Sequence, residues 1–138
     1  MSATFVVDAS VGFGWVYQGQ ATSETDSLLN EVAAGATVIV PALWFLEMSN
    51  VLLMAQRRHR LTAMQRKAAM EKLTAMQLTV DEEGTRNAFG KTSELAEKYG
   101  LTIYDATYLE LASRRSLPLA SRDEALKNAA KQCGLKAL

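Results

Sequence analysis

The chain has 138 residues, with 15 Lys+Arg against 15 Asp+Glu and so a formal net charge of zero. Apolar residues make up 49% and charged residues 22%, a balance that excludes disorder, and the length suits one domain over 1–138. Neutrality excludes a polycation that grips nucleic acid by bulk charge, while leaving room for a local basic face.

One cysteine, Cys133, excludes an internal disulfide, and with one histidine, His59, the chain cannot build a zinc site of the usual His/Cys kind. The first apolar run lacks the basic flank of a signal peptide and stops at Asp8. The longest uncharged apolar stretch elsewhere, residues 32–46, counts 15 residues, short of the roughly 20 needed to cross a bilayer. These features predict a soluble, cytoplasmic protein with no membrane segment.

Thr4-Phe5-Val6-Val7 is a β-branched apolar run ending at Asp8 and reads as a buried strand. Gly12, Gly14 and Gly19 leave the next segment loosely specified, with room for a short helix through Trp15. Ser23 or Thr25 is expected to cap a helix running to about residue 33, which Gly35 ends. Thr37-Val38-Ile39-Val40 is a second buried strand closed by Pro41, which then suits the first turn of a long helix over 42–60. Thr62 caps the next predicted helix, 63–76. A third strand, Leu78-Thr79-Val80, runs into the acidic break Asp81-Glu82-Glu83-Gly84. Helices are expected over 86–99, stopped by Gly100, and over 105–115. Leu117-Pro118-Leu119-Ala120 is a fourth strand, followed by a helix over 122–133 and a short terminal strand at 135–138. Such alternation defines an α/β fold with a central, mostly parallel sheet of four to five short strands, covered on both faces. The two helices between the second and third strands form a hairpin projecting from that sheet.

Of five aspartates, three stand where burial is expected. Asp8 ends the first strand, Asp105 follows Leu101-Thr102-Ile103-Tyr104, and Asp123 follows the fourth strand and Ser121. Ligands of parallel α/β sheets bind beyond the carboxyl ends of the strands, where Asp8 and Asp123 should converge. Glu47 is a fourth candidate, within the apolar turn Leu43-Trp44-Phe45-Leu46-Glu47-Met48, and Asn50 shares its helix face. A buried, uncompensated carboxylate costs several kcal/mol. No lysine or arginine lies near Asp8, Glu47 or Asp105 in sequence, so a divalent cation is the candidate counter-charge. Carboxylates with Asn and Ser nearby, and no His or Cys, select Mg2+ or Mn2+. Such an ion lowers the pKa of bound water and stabilises charge on a phosphodiester under attack, which is nuclease or phosphatase chemistry. A glycosidase needs only two carboxyls and a cleft rich in aromatics, which a 7% aromatic content disfavours.

Each residue also has an ordinary reading. Asp8 and Asp105 suit helix caps or first turns, and Ser121-Arg122-Asp123-Glu124 fits a capping box with Ser121 as N-cap. Glu47 suits an exposed helix face. The cluster Arg57-Arg58-His59-Arg60 with Arg66, Lys67 and Lys72 is either a phosphate-tracking surface or a solvated helix end, and Arg114-Arg115 has the same two readings. The glycines at 12 and 14 lack the third glycine of the dinucleotide fingerprint.

Four segments together resemble the PIN domain, specifically its VapC-like toxins of toxin–antitoxin pairs. They are Val6-Val7-Asp8-Ala9-Ser10, Leu46-Glu47-Met48-Ser49-Asn50-Val51-Leu52, Leu101-Thr102-Ile103-Tyr104-Asp105-Ala106-Thr107-Tyr108-Leu109 and Leu117-Pro118-Leu119-Ala120-Ser121-Arg122-Asp123. Their order and spacing span the chain, and Tyr-Asp-Ala-x-Tyr-Leu is the most specific piece. The resemblance implies an α/β/α sandwich and an endoribonuclease dependent on Mg2+ or Mn2+. It further implies a homodimer, inhibited by a small antitoxin that covers the acidic site. Carried over, Asp8 and Asp105 would be the core metal ligands, Glu47 and Asp123 would complete the catalytic pocket, and Ser10, Asn50 and Ser121 would orient ligands or water. The family more often has threonine at the place of Ser121, which keeps the hydroxyl. Gly12 and Gly14 are less usual after the Asp-x-Ser start and are expected to loosen the first helix and the substrate rim. Arg57, Arg58, Arg60, Arg66 and Lys67 are the candidate contacts for RNA. A non-catalytic PIN scaffold or metal-binding module is the alternative. A phosphoacceptor receiver domain would need a late lysine where this chain has Ser121 and Asp123.

Overall fold

The computed structural model describes residues 3–138. Four strands, β1 (Thr4–Val7), β2 (Thr37–Pro41), β3 (Leu78–Asp81) and β4 (Leu119–Ala120), pair in parallel in the order β3-β2-β1-β4. Parallel neighbours need long crossovers, and helices supply them: α1 (Ala9–Val16), α2 (Ser23–Ala33), α3 (Leu43–Arg57), α4 (Ala63–Ala75), α5 (Lys91–Tyr99), α6 (Ile103–Arg115) and α7 (Glu124–Gln132). Phe5, Val6 and Val7 are fully buried because β1 is central and flanked by helices, which explains its unbroken apolar run. From β1 the chain steps outward to β2 and β3, then returns to place β4 on the other side of β1. The reversal makes a crevice at the carboxyl ends of β1 and β4, and Asp8 and Ser121 are the first residues beyond those strands.

The four-strand sheet meets the expectation of an α/β fold, and the corrections are local. Pro41 belongs to β2, paired with Asp81, and the long helix starts at Leu43 and ends at Arg57. Thr22, rather than Ser23 or Thr25, caps α2, and Thr25 reciprocates through its own hydroxyl. The helix expected over 86–99 is a single 3₁₀ turn, Gly84–Asn87, followed by a break and then α5. Gly90, at φ −117° and ψ −107°, is far from helical and separates the two. α6 begins at Ile103, two residues earlier than expected, because Thr102 caps it. At the C-terminal end, 135–138 contributes one parallel bridge, Ala137 to Leu119.

The α3–α4 hairpin has a small apolar cluster of its own, Leu52, Ala55, Leu61 and Ala69, against which Phe13, Val16 and Tyr17 pack. Lys72 Nζ donates to the Trp15 carbonyl at 2.9 Å, so the hairpin is tied to the end of α1 rather than projecting free. Asp81, expected in an acidic break, is instead the buried last residue of β3. Arg114 grips it at 2.7 Å and also pairs with Glu110 and Glu83, while Arg115 pairs with Asp81 at 3.2 Å. The paired arginines at the end of α6 are therefore structural cations. Hydrogen bonds from Arg114 hold the Asp81 carboxyl below its ordinary range.

The expectation that Gly12 and Gly14 loosen α1 fails for a packing reason. A Cβ on Gly12 would lie 2.7 Å from Trp44 Cζ2 and 2.8 Å from Met48 Sδ, and both residues are buried on α3. Glycine thus lets α1 and α3 approach closely enough to share the crevice. Gly12→Ala should cost about 1–2 kcal/mol, since overpacking of about 1–3 kcal/mol exceeds the helix-propensity gain of up to about 1 kcal/mol. A urea denaturation midpoint lower than wild type is the expected reading, and an unchanged midpoint would contradict the close approach.

Candidate active site

Asp8 is 5% exposed, and it closes β1 by capping α1. Its Oδ1 accepts from the Val11 amide at 3.2 Å and the Ser10 hydroxyl at 2.6 Å, and its Oδ2 accepts from the Ser121 hydroxyl at 2.5 Å. Those two hydroxyls in turn accept from the chain beyond β4: Arg122 N donates to Ser10 Oγ at 2.9 Å and Asp123 N to Ser121 Oγ at 3.0 Å. Trp44 Nε1 donates to the Asp8 carbonyl at 3.2 Å, which brings in the first turn of α3. Three segments distant in sequence are therefore tied together at one buried residue, two of them through its carboxylate and α3 through its backbone carbonyl.

Helix geometry decides which α3 residues can join it. Trp44, Met48, Leu52 and Ala55 form its buried stripe. At 3.6 residues per turn, Glu47 lies about 95° from the centre of that stripe and Asn50 about 155°. Glu47 is accordingly half-buried at the shoulder, and Asn50 is exposed. The Tyr108 hydroxyl, from α6, donates to Glu47 Oε1 at 2.5 Å. Asp105 sits half-buried in the first turn of α6, its amide donating to Thr102 Oγ1 at 3.0 Å. Asp123 is exposed and is itself the cap of α7, accepting from the Ala125 amide at 3.2 Å. The expected capping box fails because the Ser121 hydroxyl, buried against Asp8, does not cap the helix.

Electrostatics link the four acids. Burial raises the Asp8 carboxyl above its ordinary value of 3.8, and the hydrogen bonds from Ser10, Ser121 and Val11 offset this only in part. Burial likewise raises Asp105, with the charges of Asp123 and Asp8 adding to it. Glu47 is raised first by burial, and then by the charges of Asp105 and Asp8 against the opposing Tyr108 hydrogen bond. The Tyr108 phenol is held well above its usual range by burial and by Glu47. Among the described residues, the ion pairs join Arg114 and Arg115 to Asp81, Glu83 and Glu110, and none reaches these four acids. Also among the described residues, no three acidic, histidine or cysteine side chains stand close enough to close directly on one ion. The four acids are near enough for their charges to act on one another, yet among the described residues they form no preformed cage.

The basic candidates stand elsewhere. Arg57, Arg58 and Arg60 are exposed at the far end of α3, with Arg57 about 15 Å along the helix axis from Glu47. Lys67 is exposed on α4, while Arg66 is partly buried and donates to Gln56 Oε1 at 3.2 Å. Sequence pattern does not mark Tyr108 or Trp44 as a site residue, yet each bonds one: Tyr108 the Glu47 carboxylate and Trp44 the Asp8 carbonyl. The repeated tyrosine of the α6 motif was the available signal, but its partner lies 61 residues away in sequence.

The PIN-domain family model matches residues 5–132. The structure is similar to PAE2754 from Pyrobaculum aerophilum, with a TM-score of 0.70 and 22% identity, covering 99% of this chain and 92% of that one. It is also similar to VapBC2 from Rickettsia felis bound to a DNA fragment from its promoter, with a TM-score of 0.67 and 11% identity over 98% and 97% of the two chains. A toxin–antitoxin complex from Klebsiella pneumoniae gives a TM-score of 0.56 and 17% identity over 86% of each chain. A comparison with curated protein sequences finds no match. The chain belongs to the PIN-domain family, whose members are generally nucleases and hence hydrolases. Among the described residues, no helix is long and apolar enough to cross a membrane.

The raised Asp8 value has a signed consequence for stability. Between the ordinary 3.8 and the raised folded value, the folded chain holds a proton that the unfolded chain releases, so stability falls as pH rises through that window. Above the window the whole cost is present. Asp8→Asn should therefore raise the thermal midpoint at pH 7 in EDTA and flatten its pH dependence on the acid side. A midpoint below wild type at pH 7 would show that hydrogen bonding, rather than uncompensated charge, governs this carboxylate.

Proposed function

We propose that this chain is a Mg2+- or Mn2+-dependent endoribonuclease, the toxin of a toxin–antitoxin pair. The observation that carries this reading is the grouping of Asp8, Glu47, Asp105 and Asp123 at the sheet's crevice with, among the described residues, no cationic side chain paired to them. PIN nucleases typically use divalent metals, and this donor set fits one: all oxygen, multiply anionic and unpaired. Asp8 and Asp105 would be the principal ligands, with Glu47 and Asp123 completing the charge. An open set of carboxylates suits Mg2+, which keeps several waters and engages one or two carboxylates together with substrate phosphate. When bound, such an ion makes a water acidic enough to attack a phosphodiester and offsets the charge that develops there.

The chain's own groups prepare that chemistry. Ser10 and Ser121 fix both oxygens of Asp8 and so set its plane before any ligand arrives. Their own acceptor positions receive the Arg122 and Asp123 amides, which holds the turn carrying Asp123 beside the crevice. A single-stranded RNA long enough to reach from the crevice along α3 would meet Arg57, Arg58 and Arg60 at its far end, with Arg66 and Lys67 behind them on α4. Likeness to a toxin–antitoxin complex supports a small antitoxin that covers the acidic crevice, and the family resemblance supports a homodimer.

Expression of the wild type should arrest growth and create new RNA 5′ ends, mapped by sequencing, and Asp8→Asn or Asp105→Asn should abolish both. Either variant cutting RNA at the wild-type rate in Mg2+ would sink the assignment of the site. Mn2+ binding without turnover of any RNA would support the non-catalytic module instead.

A further inference from the structure

The hydroxyl of Tyr108 is placed to do something that a cation could not. Tyr108 is 1% exposed, so its ring is locked between α6 and the core while its hydroxyl reaches Glu47 Oε1. It lies three residues after Asp105 on α6 and therefore on the same face of that helix. Glu47, by contrast, has a flexible side chain at a half-exposed helix shoulder and feels the charges of Asp105 and Asp8. Repulsion among these carboxylates favours rotamers that swing Glu47 out to solvent. An arginine partner would hold it in place but cancel its charge, as Arg114 does for Asp81. A phenol holds the carboxylate without supplying charge, and this one engages a single oxygen of Glu47.

We propose that Tyr108 is a positioning residue that keeps the Glu47 carboxylate turned into the acidic crevice, with its charge intact and Oε2 left for a divalent cation or its water. The inference rests on the nuclease reading above and deepens it. Groups that orient metal ligands typically change metal affinity or activity by about 10–100-fold when removed.

Tyr108→Phe deletes only the hydroxyl and keeps the ring in its slot. Calorimetric titration with Mn2+ should show affinity about tenfold weaker than wild type. RNA cleavage should fall about tenfold in kcat at limiting Mg2+ and recover at high Mg2+, with KM for RNA within about twofold of wild type. Because Tyr108 acts through Glu47, Tyr108→Phe should add nothing to the loss of Mn2+ affinity caused by Glu47→Gln, and this cycle separates positioning from a general loss of packing. Tyr108→Phe binding Mn2+ as wild type does, or losses that add fully in the double variant, would overturn the inference while leaving the nuclease reading standing. Wild type that neither binds Mn2+ nor cleaves RNA would overturn the nuclease reading, and this inference with it.

Discussion

Around Asp8 the fold must bury a carboxylate that, among the described residues, no cation pairs with. Asp8 ends the central strand, where the backbone carries it into the core, and three donors together leave its charge only partly compensated. Burial of this kind costs several kcal/mol, a large share of the 5–15 kcal/mol that a domain typically has. The surroundings are arranged to sustain it. β4 lies beside β1 to deliver Ser121, α1 starts where its amide and Ser10 can reach, and Gly12 lets Trp44 approach near enough to bond the Asp8 carbonyl.

Asp81 supplies an internal control. It too ends a strand of the same sheet and is buried, yet Arg114 and Arg115 neutralise it and its carboxyl falls below the ordinary range. The two aspartates show that this fold can supply cations at a strand end. At the β1–β4 crevice it places three further acids instead, and burial together with mutual charge raises Asp105 and Glu47 as well. Among the described residues this acidic group has no ion-pair partner, and carboxyls raised together in this way mark a functional-site candidate.

Much of this was legible in the sequence, for definable reasons. The strand pattern is written in β-branched runs such as Thr37-Val38-Ile39-Val40, because central parallel strands are apolar on both faces. Asp8 and Glu47 stand out as charges embedded in apolar runs. What escaped depends on partners distant in the chain. Ser121 reads as a helix cap until Asp8, 113 residues away, is seen to take its hydroxyl. Arg114 and Arg115 read as a helix end or a phosphate contact until Asp81 is seen between them. Gly12 reads as looseness because the indole that needs its space is on another helix. Asn50 shares a face with Glu47, yet the register of the buried stripe turns it toward solvent.

The proposal that a divalent cation stabilises the four uncompensated acids is tested by thermal unfolding with and without Mn2+. In EDTA the wild type should melt below an Asp8→Asn/Asp105→Asn double variant, which lacks the repulsion. With Mn2+ at about a hundredfold excess over its dissociation constant, wild type should rise by about 5–10 °C and overtake the variant, which should not respond. A wild type that Mn2+ leaves unchanged, or a double variant that gains as much, would show that these acids hold no such ion.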